Sequence, residues 1–145
     1  MFRLSLYGTG DSKDLIKLKK LANKLEISRY ISWKGFVNYP FMHINEADAL
    51  FLTSRYEGLP MVLAEAISAG LYVVSSDCPT GPREIVSDNN GELYKLGNVA
   101  DLKSKINHIF TGNLPNQDKM KVSVKYMYAD NYYNNLCQIF KEMSK

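Results

Sequence analysis

The chain has 145 residues, of which 46% are hydrophobic and 23% charged, and its net charge is +3. That length gives one ordinary domain able to bury a core without disulfides or metals, and the composition excludes disorder, collagen-like repeats and an apolar run of the ~20 residues a membrane span needs. A balance of 18 bases against 15 acids is too even to imply nucleic acid.

The start, Met1 to Tyr7, does not read as a signal peptide; Leu4–Tyr7 reads as a strand running straight into Gly8-Thr9-Gly10. A helix is expected over about 12–26. In it Leu15, Leu18, Leu21 and Leu25 form one face, while Lys13, Lys17, Lys19, Lys20 and Lys24 form the other. The lysines are read as a solvated outer face, with a membrane-surface role as the alternative. Further strands are expected at Tyr30–Trp33, Ala49–Thr53, Tyr72–Ser75 and Leu93–Leu96. Helices fit at about 41–47, 60–69, 80–87 and 99–110. This alternation predicts an α/β fold with a Rossmann-like parallel sheet covered by helices on both faces. The all-apolar run Ala49-Leu50-Phe51-Leu52 is expected to be buried on both faces. After Phe110 a breaker cluster, Thr111 to Asn116, precedes a single long helix expected over roughly 119–143.

Ligands in such sheets bind beyond the carboxyl ends of the strands, which directs attention to Gly8–Asp11, Gly35–Val37, Ser54–Pro60 and Ser76–Pro82. The most informative stretch is Glu57-Gly58-Leu59-Pro60-Met61 through Gly70. Pro60 suits the first turn of a helix and Gly70 its end. The helix between them is apolar on every side and is expected to be buried, with Glu65 its sole charge. A buried carboxylate is costly unless paired or facing a polar cleft. An edge glutamate bonded to a neighbouring loop is the plain reading. Glu57 just before the helix favours a functional one. First-turn N–H groups between the two carboxylates would suit a diphosphate, and each carboxylate would accept hydroxyls from a flanking sugar. The pattern proposes a nucleotide-sugar site.

Other candidates are weaker. Lys13 stands where a dinucleotide fingerprint needs its third glycine, so Gly8-Thr9-Gly10 reads as a plain strand-to-helix turn. His43 and His108 lack carboxylate or cysteine partners at ligand spacing, and no metal site is expected. Arg55 and Arg83 are either phosphate ligands or structural cations. Trp33 reads as core. Cys78 and Cys137 lack metal spacing and imply a reduced, cytoplasmic protein; Cys78 has no adjacent base and is not taken as a nucleophile.

Glu57-Gly58-Leu59-Pro60 with Glu65-Ala66 and Gly70 resembles the E-x7-E signature of family four retaining glycosyltransferases, which have the GT-B fold. The resemblance continues through Leu6 to Asp11, Trp33 to Val37, Ala47 to Ser54, Tyr72 to Asp77, Gly81 to Ile85 and Asn90 to Tyr94. It covers about residues 4–110 in order. It implies that residues 1–112 form a nucleotide-sugar donor-binding domain, half of a GT-B fold, followed by a helical tail over 113–145. Glu57 would be the catalytic-site contact to the donor sugar and Glu65 would bind the ribose. The backbone of Gly58, Leu59 and Met61 would lie near sugar and diphosphate, and Phe36 and Val37 would line the base pocket. The donor would be a nucleotide diphosphate sugar, UDP-linked, with no metal or other cofactor.

The family's donor domain opens one strand earlier, with an arginine and a lysine that neutralise the leaving diphosphate, and pairs with an amino-terminal acceptor domain. The chain is therefore expected to be a truncated part of a hexosyltransferase, inactive alone because preorganised cations lower the barrier of such reactions. The intact enzyme would transfer a hexose to a hydroxyl of a glycan, lipopolysaccharide, capsule or lipid, in the cytoplasm or at the cytoplasmic face of the membrane. The alternative is a non-catalytic nucleotide-sugar-binding subunit completed by a separate acceptor-domain chain. A GT-B relative of another activity, an epimerase or phosphorylase, is opposed by the E-x7-E arrangement.

Overall fold

A computed structural model describes residues 2–42, 44 and 47–143. The chain divides into two compact units, Met1–Asn45 and Glu46–Lys145. The first holds β1 (Leu4–Tyr7), α1 (Ser12–Lys24), a 3-10 turn at Ser28–Tyr30, β2 (Ile31–Gly35) and a second 3-10 turn at Pro40–Met42. The second holds β3 (Ala49–Leu52), α2 (Met61–Ser68), β4 (Tyr72–Ser76), α3 (Pro82–Ile85), β5 (Gly91–Tyr94), α4 (Val99–Thr111), α5 (Gln117–Ser123), a 3-10 turn at Lys125–Met127 and α6 (Ala129–Met143). The strand pairs of the described residues are all parallel, as the α/β expectation requires: β1-β2 in the first unit and β3-β4-β5 in the second.

In the first unit Asp11 caps α1, its carboxylate accepting the Lys13 N–H at 2.8 Å, so the Gly8–Gly10 turn leads into a helix as expected. Of α1 only Ala22 is buried, and Leu15, Leu18, Leu21 and Leu25 are exposed. Trp33 is half-buried rather than core, with the Lys19 ammonium 5.6 Å from its ring centroid, a cation–π distance. The helix expected over 41–47 begins as the Pro40–Met42 turn, and His43, Asn45 and Glu46 lie outside the described residues.

The second unit carries the core. β4 is its central strand and is buried along its whole length, as its apolar start predicts. β3 is half-buried along its length and, among the described residues of this unit, pairs with β4, so the expectation of a strand buried on both faces is not met. α2 packs Leu63, Ala64, Ala66 and Ile67 inward. It ends in a two-bond glycine cap: Leu71 N–H donates to Ala66 O at 3.0 Å and Gly70 N–H to Ile67 O at 2.9 Å, with Gly70 at φ +87°.

Two boundaries moved for local reasons. β5 begins at Gly91, which pairs with Val73 so closely that a Cβ would sit 2.3 Å from Val73 O. It ends at Tyr94, because the next N–H, of Lys95, donates to the Asp101 carboxylate at 2.7 Å. The long helix expected over 119–143 is broken. Asn116 caps α5, the chain turns to bury Val124 completely, and Asn131 Nδ2, in the first turn of α6, donates to the Lys125 carbonyl at 2.7 Å. Nearby, Tyr126 donates its hydroxyl to Glu84 O at 2.8 Å, fastening the turn to α3.

Candidate functional site

The turn after β3 and the loop after β4 meet at the carboxyl ends of two parallel strands. Ser76, fully buried at the end of β4, donates its hydroxyl to Ser54 O at 2.6 Å. Thr80 donates to Glu57 O at 2.5 Å. Gly81, at φ +92°, lies so close to Gly58 O and Pro60 that a Cβ would approach them to 2.3 and 2.5 Å. Only glycine fits there, both for its left-handed backbone and for that contact.

Glu57 is half-buried in this turn, and Gly58, Leu59 and Met61 are exposed around it. Glu65 is exposed, which corrects the expectation of a wholly buried helix. Met61, Glu65 and Ala69, at i, i+4 and i+8, form one accessible stripe on α2 while its other sides are packed. The carboxylate therefore needs no partner to offset desolvation. Among the described residues, neither Glu57 nor Glu65 directs its carboxylate to a hydrogen-bond donor or an ion pair. Two acceptors thus stand open, one in the turn and one about 6 Å of helix rise beyond Met61.

The array of N–H groups at the start of α2 is narrower than expected. Pro60 has none, the Met61 N–H donates to Leu59 O at 2.8 Å, and the Leu63 N–H to Pro60 O at 2.9 Å. Arg83 is also committed: its Nε and Nη2 reach the two Asp77 oxygens at 2.6 and 2.5 Å. The hydrogen bond from Arg83 holds the Asp77 carboxyl below the usual carboxylate range. Of the two arginines, Arg83 is a structural cation clamping the β4–α3 loop, whereas Arg55 is exposed and makes no ion pair among the described residues. Cys78 is buried and its thiol points to Thr80 O at 3.6 Å.

Phe36 and Val37 belong to the first unit, just after β2. Phe36 is 72% exposed and Val37 half-buried. The turn holding them is shaped by Gly35, at φ +67°, whose carbonyl accepts the Gly8 N–H at 2.7 Å.

A polar cluster escaped the sequence reading. Glu92 of β5 accepts from Lys105 Nζ at 2.8 Å, and His108 Nδ1 lies 2.8 Å from its other oxygen. Burial would raise the Glu92 carboxyl, but the hydrogen bonds from Lys105 and His108 outweigh it and hold the group below the usual range. Burial and the nearby Glu92 charge push the Tyr72 phenol up. His108 does have a carboxylate partner, from a strand 16 residues away in sequence, which local spacing could not reveal. A cavity of about 230 Å³ opens at the opposite, amino-terminal end of the three-stranded sheet, lined by Asp48, Gly70, Tyr72, Leu114 and Gln117 among others. It contains none of the candidate site residues. Among the described residues no cluster of three metal-ligating side chains occurs, and no helix is long and apolar enough to cross a membrane.

Residues 2–126 match the family described as glycosyl transferases group 1. Lipopolysaccharide 1,6-galactosyltransferase of Escherichia coli (strain K12) is 34% identical over 140 residues, covering 92% of this chain and 39% of the relative. The enzyme of the same name from Salmonella typhimurium is 33% identical, covering 97% and 41%. Among solved structures, the apo form of the lipopolysaccharide outer core galactosyltransferase WaaB aligns with a TM-score of 0.87 at 31% identity, over 97% of this chain and 41% of that one. The chain thus spans about two fifths of the length of the curated relatives it matches.

Proposed function

The chain belongs to the glycosyl transferases group 1 family, with a GT-B-type α/β fold, and from that premise we propose that it is the donor-binding part of a retaining hexosyltransferase. Residues 1–112 form the donor domain and 113–145 its helical tail. The donor is a nucleotide diphosphate hexose, with UDP as nucleotide; galactose is the sugar that the relatives' names specify. Glu65 accepts the ribose hydroxyls, and Glu57 accepts hydroxyls of the hexose as the catalytic-site contact. Exposed Gly58, Leu59 and Met61 offer main chain to sugar and diphosphate, and Phe36 and Val37 serve the base.

One observation carries this reading. Two carboxylates separated by an E-x7-E spacing make no hydrogen bond or ion pair among the described residues, one in a buttressed turn and one on the accessible stripe of the following helix. Acceptor groups of that kind suit vicinal hydroxyls, since a carboxylate can take two donors at once. They do little for leaving-group charge, so the chain binds donor without completing transfer, and an acceptor domain completes the site. The whole enzyme works in the cytoplasm and touches the cytoplasmic face of the membrane. A second reading, a nucleotide-sugar-binding subunit completed by a separate acceptor-domain chain, draws on α6, which buries no residue and exposes Tyr132, Tyr133, Ile139 and Met143.

The test is calorimetry of the chain with UDP. The parent binds weakly and Glu65→Ala abolishes the signal. Equal affinity in mutant and parent would remove Glu65 from the site.

A further inference from the structure

We propose that Thr80 is a positioning residue: by holding the main chain of Glu57, it sets how well the domain distinguishes a nucleotide diphosphate sugar from the nucleotide diphosphate alone. The inference rests on the donor-site reading above and concerns a residue outside the E-x7-E segment. Glu57 has a carboxylate with no partner among the described residues, so nothing at its tip fixes it. What fixes it is its backbone. Thr80 Oγ1 donates to the Glu57 carbonyl, and Gly81 packs directly against Gly58 O and the Pro60 ring.

The loop that delivers Thr80 is itself a braced strut. The Asp77 N–H donates to Tyr94 O at 2.8 Å, and the Asp77 side chain holds Arg83 in a two-bond pair. The Glu84 N–H donates back to Gly81 O at 3.0 Å. Thr80 is exposed, so water could have satisfied its hydroxyl at no cost; instead it is spent on the one carbonyl that belongs to Glu57. Glu65 is placed differently. It sits in the middle of α2, held by helix hydrogen bonds and by the packing of Leu63, Ala64, Ala66 and Ile67. Loosening Thr80 therefore slackens the sugar end of the site and leaves the ribose end where it was.

The consequence is a split that a merely structural role would not produce. Titration calorimetry of the chain uses two probes, UDP and UDP-galactose, with the parent, Thr80→Val and Thr80→Ser. The ratio of UDP-galactose affinity to UDP affinity falls roughly tenfold in Thr80→Val, the size of one lost hydrogen bond, while UDP affinity stays level. Thr80→Ser, which keeps the hydroxyl, restores the ratio. Thermal melting of each variant is recorded, and Thr80→Ala, which adds no bulk, takes the place of a Thr80→Val that does not fold. An unchanged ratio in the hydroxyl-less variant, or an equal loss for both probes, overturns the role of Thr80 alone. A parent that binds neither probe overturns the donor-site reading and this inference with it.

Discussion

Asn90 is a fully buried amide whose removal has a cost that can be worked from its partners. Its Oδ1 accepts the Ser87 N–H at 2.9 Å, and its Nδ2 donates to Ile85 O at 3.0 Å and to Ser123 Oγ at 2.8 Å. One side chain thus ties α3, the entry to β5 and the end of α5. In Asn90→Ala these losses differ. Ser87 is exposed, so its N–H finds water cheaply. Ser123 keeps a second bond, to Met120 O at 2.6 Å. Ile85 is buried, and its carbonyl is left without the amide in an interior where an unsatisfied group costs about 1–3 kcal/mol. Adding the small cavity gives about 3 kcal/mol in total. For a chain of this size that lowers the melting temperature by about 10 °C. Ser123→Ala, which breaks one of the three bonds, costs about 1 kcal/mol, and the double variant costs less than the sum because the two share a bond. Circular-dichroism melting of the three variants is the assay. A drop below about 3 °C for Asn90→Ala would refute the view that this amide organises the second unit.

Further predictions concern pH, glycines and thiols. The folded-state carboxyl of Glu92 is depressed, so its bonds to Lys105 and His108 stabilise the fold above the unfolded glutamate pKa and are lost as pH falls through the lower folded value. Glu92→Gln melts earlier than the parent at neutral pH, by about 1 kcal/mol, and the gap closes as pH falls below the usual glutamate range; parallel melting curves from neutral to acid pH would contradict the assignment. Gly58→Ala has open space for its Cβ, so melting is unchanged while UDP-galactose titration weakens at least several-fold; unchanged binding would show that no ligand approaches this backbone. Gly91→Ala drives its Cβ into Val73 O and is expected to lose soluble folded protein, which size-exclusion chromatography reports. A thiol reagent modifies Cys137 quickly and Cys78 only on unfolding, because Cys78 is buried; two fast thiols would contradict the packing of the β4–α3 loop.

How much of this was legible in sequence depended on how local the cause was. The unbroken apolar run of Tyr72-Val73-Val74 marks a buried strand, and Pro60 and Gly70 bracket α2 within a residue or two, because chain stiffness and a glycine cap act through neighbouring atoms. Residue type and spacing single out Glu65 but not its exposure. Hydrophobic neighbours do not say which stripe of a short helix stays open, and Ala69 and Met61 proved to lie on the accessible side with it. The break after Ser123 was hidden for a different reason. Its causes are the burial of Val124, the Asn131 side chain on Lys125 O and the reach of Tyr126 to Glu84, and the last joins residues 42 apart. The same holds for His108 with Glu92 and for Thr80 with Glu57: contacts between strands, helices and loops carry no signature in either segment alone.

The central claim is that the turn after β3 and the start of α2 hold a nucleotide diphosphate sugar. Amide chemical-shift mapping of the chain titrated with UDP-galactose tests it most directly. Shifts concentrated at Glu57, Gly58, Leu59, Met61 and Glu65, reproduced in part by UDP alone, are the predicted result. Shifts absent from that segment, or centred on the cavity formed by Asp48, Tyr72 and Gln117, would contradict it.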